Sequence, residues 1–191
     1  MFTSYAFAVS TFIIAYKAGK WKSERKVSFR ELNYGWAYAI IRTIYFGGKG
    51  VLMNEYITNR VHDLYWKEDI NCARTALVCL SELFEITIEP QTIWSAVGLH
   101  GAGGYRAQCG LVEGSLMFIG IYLHGLGKSE DEIVAACYNF ASAFEKAFGS
   151  LRCLELRPSG FSESDPPHLC ENLTCNGIEF AYQYILGIMK Q

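Results

Sequence analysis

Cys109-Gly110-Leu111-Val112-Glu113-Gly114-Ser115-Leu116-Met117-Phe118-Ile119-Gly120-Ile121-Tyr122-Leu123 is the stretch that decides the fold. Its apolar residues lie all around a helix rather than along one stripe, which marks a helix buried on every side. A buried helix needs other helices around it, and the flanking sequence supplies them. Ser129-Glu130-Asp131-Glu132 is a capping box that opens a long helix to Phe148, with Gly149 as its C-terminal stop. A last helix is expected from Pro167 or Leu173 to Met189, after a loop from Pro158 to Pro167.

On the N-terminal side, Asp69 is the expected N-cap of a helix from Ile70 to Phe84, with Ala73, Leu77, Leu80 and Phe84 on one face. An earlier helix, from Val51 to Trp66, is expected to put Leu52, Tyr56, Val61 and Tyr65 near one face. Pro90 opens a short helix to Val97, because proline suits a first turn. Ser28 and Glu31 form another capping box, starting a helix to Phe46 that Gly47-Gly48-Lys49-Gly50 ends. Strand alternation is confined to Glu85-Ile86-Thr87-Ile88-Glu89. The expected fold is all-α, a compact orthogonal bundle of about seven to eight helices.

Composition excludes several function classes. Just over half of the 191 residues are hydrophobic, so the chain can bury a substantial core. Net charge is −2, and the basic residues cluster only between Lys17 and Lys26, which argues against a nucleic-acid partner. Residues 1–16 are apolar but carry no preceding positive charge and no cleavage site. They fall short of the roughly 20 residues of a spanning helix. A core or interface helix is the expectation there, with homo-oligomer or membrane contact as the other roles open to it.

Seven cysteines carry most of the chemistry. Their odd number and long spacings suit reduced thiols in the cytoplasm better than a secreted disulfide scaffold. Cys72 falls in the first turn after Asp69, Cys109 opens the central helix, Cys153 follows a helix end beside Arg152, and Cys170 follows Asp165-Pro166-Pro167. A helix start favours negative charge, so thiolates are expected to be stabilised at these places. Cys79 and Cys137 read as core residues; Cys175 could replace or supplement Cys170.

Other candidates are weaker. The loop Gly98 to Gly104 lacks the preceding strand and the following Lys-Ser/Thr of a phosphate-binding loop, so its glycines imply only a close backbone approach near Cys109. His100 and His168 lie close in sequence to Cys109 and Cys170. Glu113 is expected to pair with Arg106, with a buried acid as the other reading. No CxxCH is present, which gives no support to covalent haem.

Cys109-Gly110-Leu111-Val112-Glu113-Gly114 resembles the CGAxxG motif of a redox-active protein family defined by a C…CGAxxG…C…C pattern, with Leu111 in the alanine position. Asn71-Cys72-Ala73 resembles the leading cysteine, Phe148 to Cys153 the stretch carrying the third, and Cys170 the fourth. The likeness spans roughly Tyr65 to Ile185. It implies a small helical redox protein of the kind associated with oxidoreductase or transport functions in anaerobic or metabolically versatile prokaryotes. Similar domains accompany haem modules in split-Soret cytochromes, where four cysteines are thought to bind an iron–sulfur cluster.

On that resemblance, residues 49–191 are expected to form the cysteine-bearing redox domain and 1–48 an N-terminal helical extension. Cys72, Cys109, Cys153 and Cys170 would hold a [2Fe–2S] or [4Fe–4S] cluster, and the protein would pass electrons to a redox partner. Two alternatives stay open: a reversible disulfide between two of the four, and a structural zinc site in an interaction protein. Whether the protein is an enzyme is left undecided.

Overall fold

The computed structural model describes residues 50–158, 160–162 and 164–189. The expected helices over 1–16 and 28–46, and the whole 1–48 extension, lie outside the described residues. What is described is all-helical: α1 (Gly50–Trp66), α2 (Cys72–Leu83), α3 (Pro90–Ser95), α4 (Gly110–Gly125), α5 (Glu130–Phe148), α6 (Cys153–Leu156) and α7 (Glu171–Ile188). The alternating stretch 85–89 forms no strand. None of the described helices is long and apolar enough to cross a membrane.

The central position of α4 follows from its sequence. Leu111, Val112, Phe118, Ile119 and Leu123 are buried along it. Its most extensive contact is with α2, and α5 and α7 also pack on it. The α2–α4 contact depends on two glycines. A Cβ on Gly114 would run into the carbonyl oxygen of Ala73, and one on Gly110 would lie 2.5 Å from Cys72 Sγ and 2.9 Å from Ala73 N. Glycine at both places lets the backbones of the two helices touch, and so brings the start of α2 beside the start of α4. Leu111, between them in the motif, is fully buried and packs against Gly177 of α7.

Several expectations shift in detail. The N-cap of α2 is Asn71, whose side chain accepts from Arg74 N–H at 3.0 Å; Asp69, with φ 49°, lies before the cap. The apolar face of α2 is as expected, with Ala73, Leu77, Leu80 and Phe84 buried. On α1 the inward face is Ile57, Val61, Leu64 and Tyr65, while Tyr56 is exposed. Tyr56 instead gives its hydroxyl hydrogen to Glu82, which also accepts from Nε and Nη2 of Arg60 and ties α1 to α2. The Ser129–Glu132 capping box forms with both reciprocal bonds, and Gly149 ends α5 at φ 88°. The helix opened by Pro90 stops at Ser95 and tightens into a 3-10 turn over Ala96–Gly98.

Gly114→Ala is expected to cost at least about 2 kcal/mol in urea unfolding, because a backbone carbonyl cannot move aside as a side chain can. Gly120→Ala on the same helix meets nothing within 4 Å. It should be neutral or stabilising by about 0.5–1 kcal/mol, as alanine is the better helix former. Equal costs at the two positions would contradict the close-contact account.

Candidate functional site

All four candidate cysteines sit at the N-terminal edge of a helix. Cys72 is the first residue of α2, and Cys109 is the N-cap of α4. Cys153 opens the four-residue α6, and Cys170 is the N-cap of α7. The turn at Cys153 was expected only as a helix end; the chain leaves α5 and restarts at once.

Three sets of contacts bring these ends together. The glycine contact seats Cys72 against Gly110, next to Cys109. An isolated antiparallel bridge then joins the segment before α4 to the segment before α6: Cys109 N–H donates to Leu151 O at 2.8 Å and Cys153 N–H donates to Ala107 O at 2.7 Å. This holds Cys109 and Cys153 side by side. The start of α7 is pinned to the end of α1 by a buried 2.6 Å hydrogen bond between Tyr65 Oη and Thr174 Oγ1, and by Trp66 Nε1 donating to Glu171 at 2.9 Å. Cys170 is thereby carried to the same end of the bundle.

The glycine loop lies against this group. Gly101, Ala102, Gly103 and Gly104 all take positive φ, making one left-handed turn. Gly101 is buried, and a Cβ there would come 3.2 Å from Cys153 Cβ and 3.3 Å from the Arg106 backbone. The close approach expected from the glycines is therefore to Cys153, the first residue of α6, and to the Arg106 backbone. Asn71 ties this turn to the start of α2, donating to Val97 O at 2.7 Å and sharing a 3.2 Å contact with His100 Nδ1.

The result is a cavity of about 310 Å³ bordered by Cys72, Cys153 and Cys170, with Tyr65, Arg106, Arg157, Phe161 and both His100 and His168 in its wall. Cys109 is buried just behind it. His168 stacks on Tyr65 at 4.8 Å and lies 3.7 Å from Asp69, and His100 bonds to Val97 O at 2.9 Å. Both histidines thus have structural partners.

Electrostatics at the site run against the expectation of lowered thiol pKa values. Burial pushes Cys72 strongly up, and the neighbouring Cys109, Cys153 and Cys170 push it further, outweighing a hydrogen bond from Gly110 N–H. Burial likewise raises Cys109 to about 11, although Leu111 and Val112 N–H groups at the start of α4 favour its anion. Cys153 and Cys170 are raised by burial, with Arg157 acting in the opposite direction on both. The helix starts do favour negative charge, as expected, but desolvation and mutual repulsion are larger. Four thiolates could coexist there only with compensating positive charge.

The remaining candidates fall elsewhere. Cys175, five residues after Cys170, is turned about 140° around the α7 axis. It faces Thr58 and Cys79 instead of the cavity. Cys79 is fully buried; Cys137 is half-buried against the core. Glu113 makes no ion pair with Arg106 among the described residues: burial raises its pKa, and Arg106 stacks over Phe161 at 4.3 Å. Among the described residues, no group of three or more His, Cys, Asp or Glu side chains is arranged to hold a metal ion.

A family model described as "Putative redox-active protein (C_GCAxxG_C_C)" matches residues 70–184, which include all four cysteines and the glycine pair. The chain belongs to this family. No curated protein and no solved structure matches it. Membership in the C_GCAxxG_C_C family gives its motif glycines a physical reason, since Gly110 and Gly114 are where α4 touches α2. Sequence reasoning missed Asn71, Tyr65, Arg157 and Phe161. Only Asn71, a good N-cap beside Cys72, carried a local signal.

The sign of the pH dependence follows from Cys109. Its folded pKa of about 11 lies above the ordinary 9.0, so the protonated thiol contributes stability below about pH 9. That contribution falls away as pH rises through 11. In the metal-free protein, urea midpoints should therefore decline between pH 9 and 11, and Cys109→Ser should flatten the decline. A midpoint that rises over this range would contradict the assignment.

Proposed function

We propose that Cys72, Cys109, Cys153 and Cys170 hold an iron–sulfur cluster and that the protein carries single electrons. The observation behind this reading is that three helix-start cysteines, Cys72, Cys153 and Cys170, border one cavity while the fourth, Cys109, is buried close enough to feel their charge. The donor set fits: four thiols at helix starts, with backbone N–H groups hydrogen-bonded to Cys72 and Cys109. A cluster bound there would supply one-electron oxidation and reduction.

The chain's own groups have definite tasks in this account. Gly110 N–H supports Cys72, and the N–H groups of Leu111 and Val112 support Cys109, as hydrogen-bond donors to sulfur. Arg157 reaches Cys170, and its own position is fixed by Asp165 at 3.1 Å and Gly160 O at 2.9 Å. Such donors stabilise thiolate charge and raise the reduction potential of what the thiolates bind. Tyr65 and Phe161 close the wall with apolar surface.

The rival chemistries suit the site less well. A zinc ion draws its four sulfurs to within about 4 Å of each other at Zn–S distances of about 2.3 Å. An iron–sulfur cluster spans a wider set of thiolates, two irons sharing four in a [2Fe–2S] cluster and one iron to each in a [4Fe–4S] cluster. Disulfide exchange needs an accessible thiolate near neutral pH, and burial raises all four thiols.

Anaerobically purified protein should contain iron and acid-labile sulfide in equal amounts, two or four of each per chain, with broad visible absorption. Serine at any of the four cysteines should remove most of the iron, while Cys137→Ser leaves it unchanged. Zinc without sulfide would establish the structural-zinc reading instead. Protein free of both metals, with a reducible bridge, would establish thiol exchange.

A further inference from the structure

Large apolar side chains are exposed near the thiol cavity. Trp94 is 67% exposed and Tyr105 is 86% exposed, and Val97 and Leu154 are exposed beside them. Tyr105, Leu154 and Val97 are each one residue or one contact away from the cavity wall, and Trp94 is two contacts away. Tyr105 lies between Gly104 and Arg106, and Leu154 follows Cys153 and donates its N–H to Arg106 O. Val97 O accepts from Asn71, and Trp94 lies beneath Arg74, whose N–H is capped by Asn71.

Arginines lie at this end too. Among the described arginines, Arg60, Arg152 and Arg157 are each paired with a carboxylate. Arg74 and Arg106 are not; they stack on Trp94 at 5.1 Å and on Phe161 at 4.3 Å. Arg74 Nε is buried without a hydrogen-bond acceptor, a cost that an incoming carboxylate could relieve through local rearrangement. Arg106 takes φ 72°, a left-handed conformation that costs energy in a non-glycine residue and places it at the cavity mouth. Arg106 lines the cavity, and Arg74 lies two residues after Cys72 in the first turn of α2.

We propose that this rim is the docking face for an acidic electron-transfer protein. Exposed Trp and Tyr with adjacent Arg are the residue types that dominate binding energy in protein interfaces. Unpaired guanidinium groups meet carboxylates on a partner and speed their encounter. The exposed rings exclude water around the contact. Docking there sets the partner's redox centre directly over the thiol cavity. One electron then leaves the reduced protein of the pair and enters the oxidised one, with no bond made and no proton moved. That the partner is a redox protein rests on the iron–sulfur reading; the acidic docking face does not.

The test is a calorimetric titration of the full-length chain, purified anaerobically, with a purified acidic plant-type ferredoxin as probe. Cytochrome c serves as a basic probe, and iron is assayed on the same samples. The acidic protein should bind, cytochrome c should not, and affinity should fall as salt is raised. Arg106→Gln and Tyr105→Ser, both on exposed side chains, should each weaken binding about tenfold or more, as expected of interface hot spots. Lys128→Gln should have no effect, because α4 separates it from the cavity by about 24 Å. No binding of the ferredoxin, preference for cytochrome c, or insensitivity to Arg106→Gln would each overturn the proposal. Binding with these properties in iron-free protein would uphold the docking face and remove the electron-transfer reading alone.

Discussion

The structure depends on a backbone contact between α2 and α4, made where Gly110 and Gly114 lie on Ala73. A side chain at either glycine would separate the helices at the point where Cys72 and Cys109 face the same space. The same contact buries the apolar surface of α4 and fixes which way its N-terminus points. Fold and site share this constraint. A mutation that loosens the core there also spreads the thiols, so stability and cofactor content should vary together across this contact.

A second constraint is electrostatic. Helix starts bring N–H groups to the cysteines, and on that basis the thiolates should form readily. The structure shows that burial and the closeness of the four thiols reverse the balance. Four thiolates at once are therefore costly there without compensating positive charge. Arg106 and Arg157 supply part of that compensation at the cavity wall. This differs from a redox enzyme built on one reactive thiolate, where a single sulfur is exposed and its pKa depressed.

Much of the helical framework was legible from local signals. The capping box at Ser129, Pro90 at a first turn and the all-round apolarity of α4 each specified an element. Asp69 misled because Asn71, two residues on, makes the better-placed cap. Tyr56 misled because a phenol can face water while its hydroxyl bonds to Glu82. The cysteines could be located at helix ends from sequence, yet their convergence could not be read there. It arises from contacts between distant segments: the bridge of residues 107–109 with 151–153, and the Tyr65–Thr174 bond. Arg157 and Phe161 were invisible for the same reason, since a loop residue gains its meaning only when the loop folds over the cavity.

The central claim is that four cysteines act as one site and the other three do not. Residue-resolved alkylation tests it most directly: native protein is treated with iodoacetamide before and after anaerobic loading with iron and sulfide, and labelled peptides are quantified. Loading should protect Cys72, Cys109, Cys153 and Cys170 together, with the same dependence on iron, and leave the labelling of Cys137 unchanged. Protection of only some of the four, or of Cys175 in place of Cys170, would contradict the account.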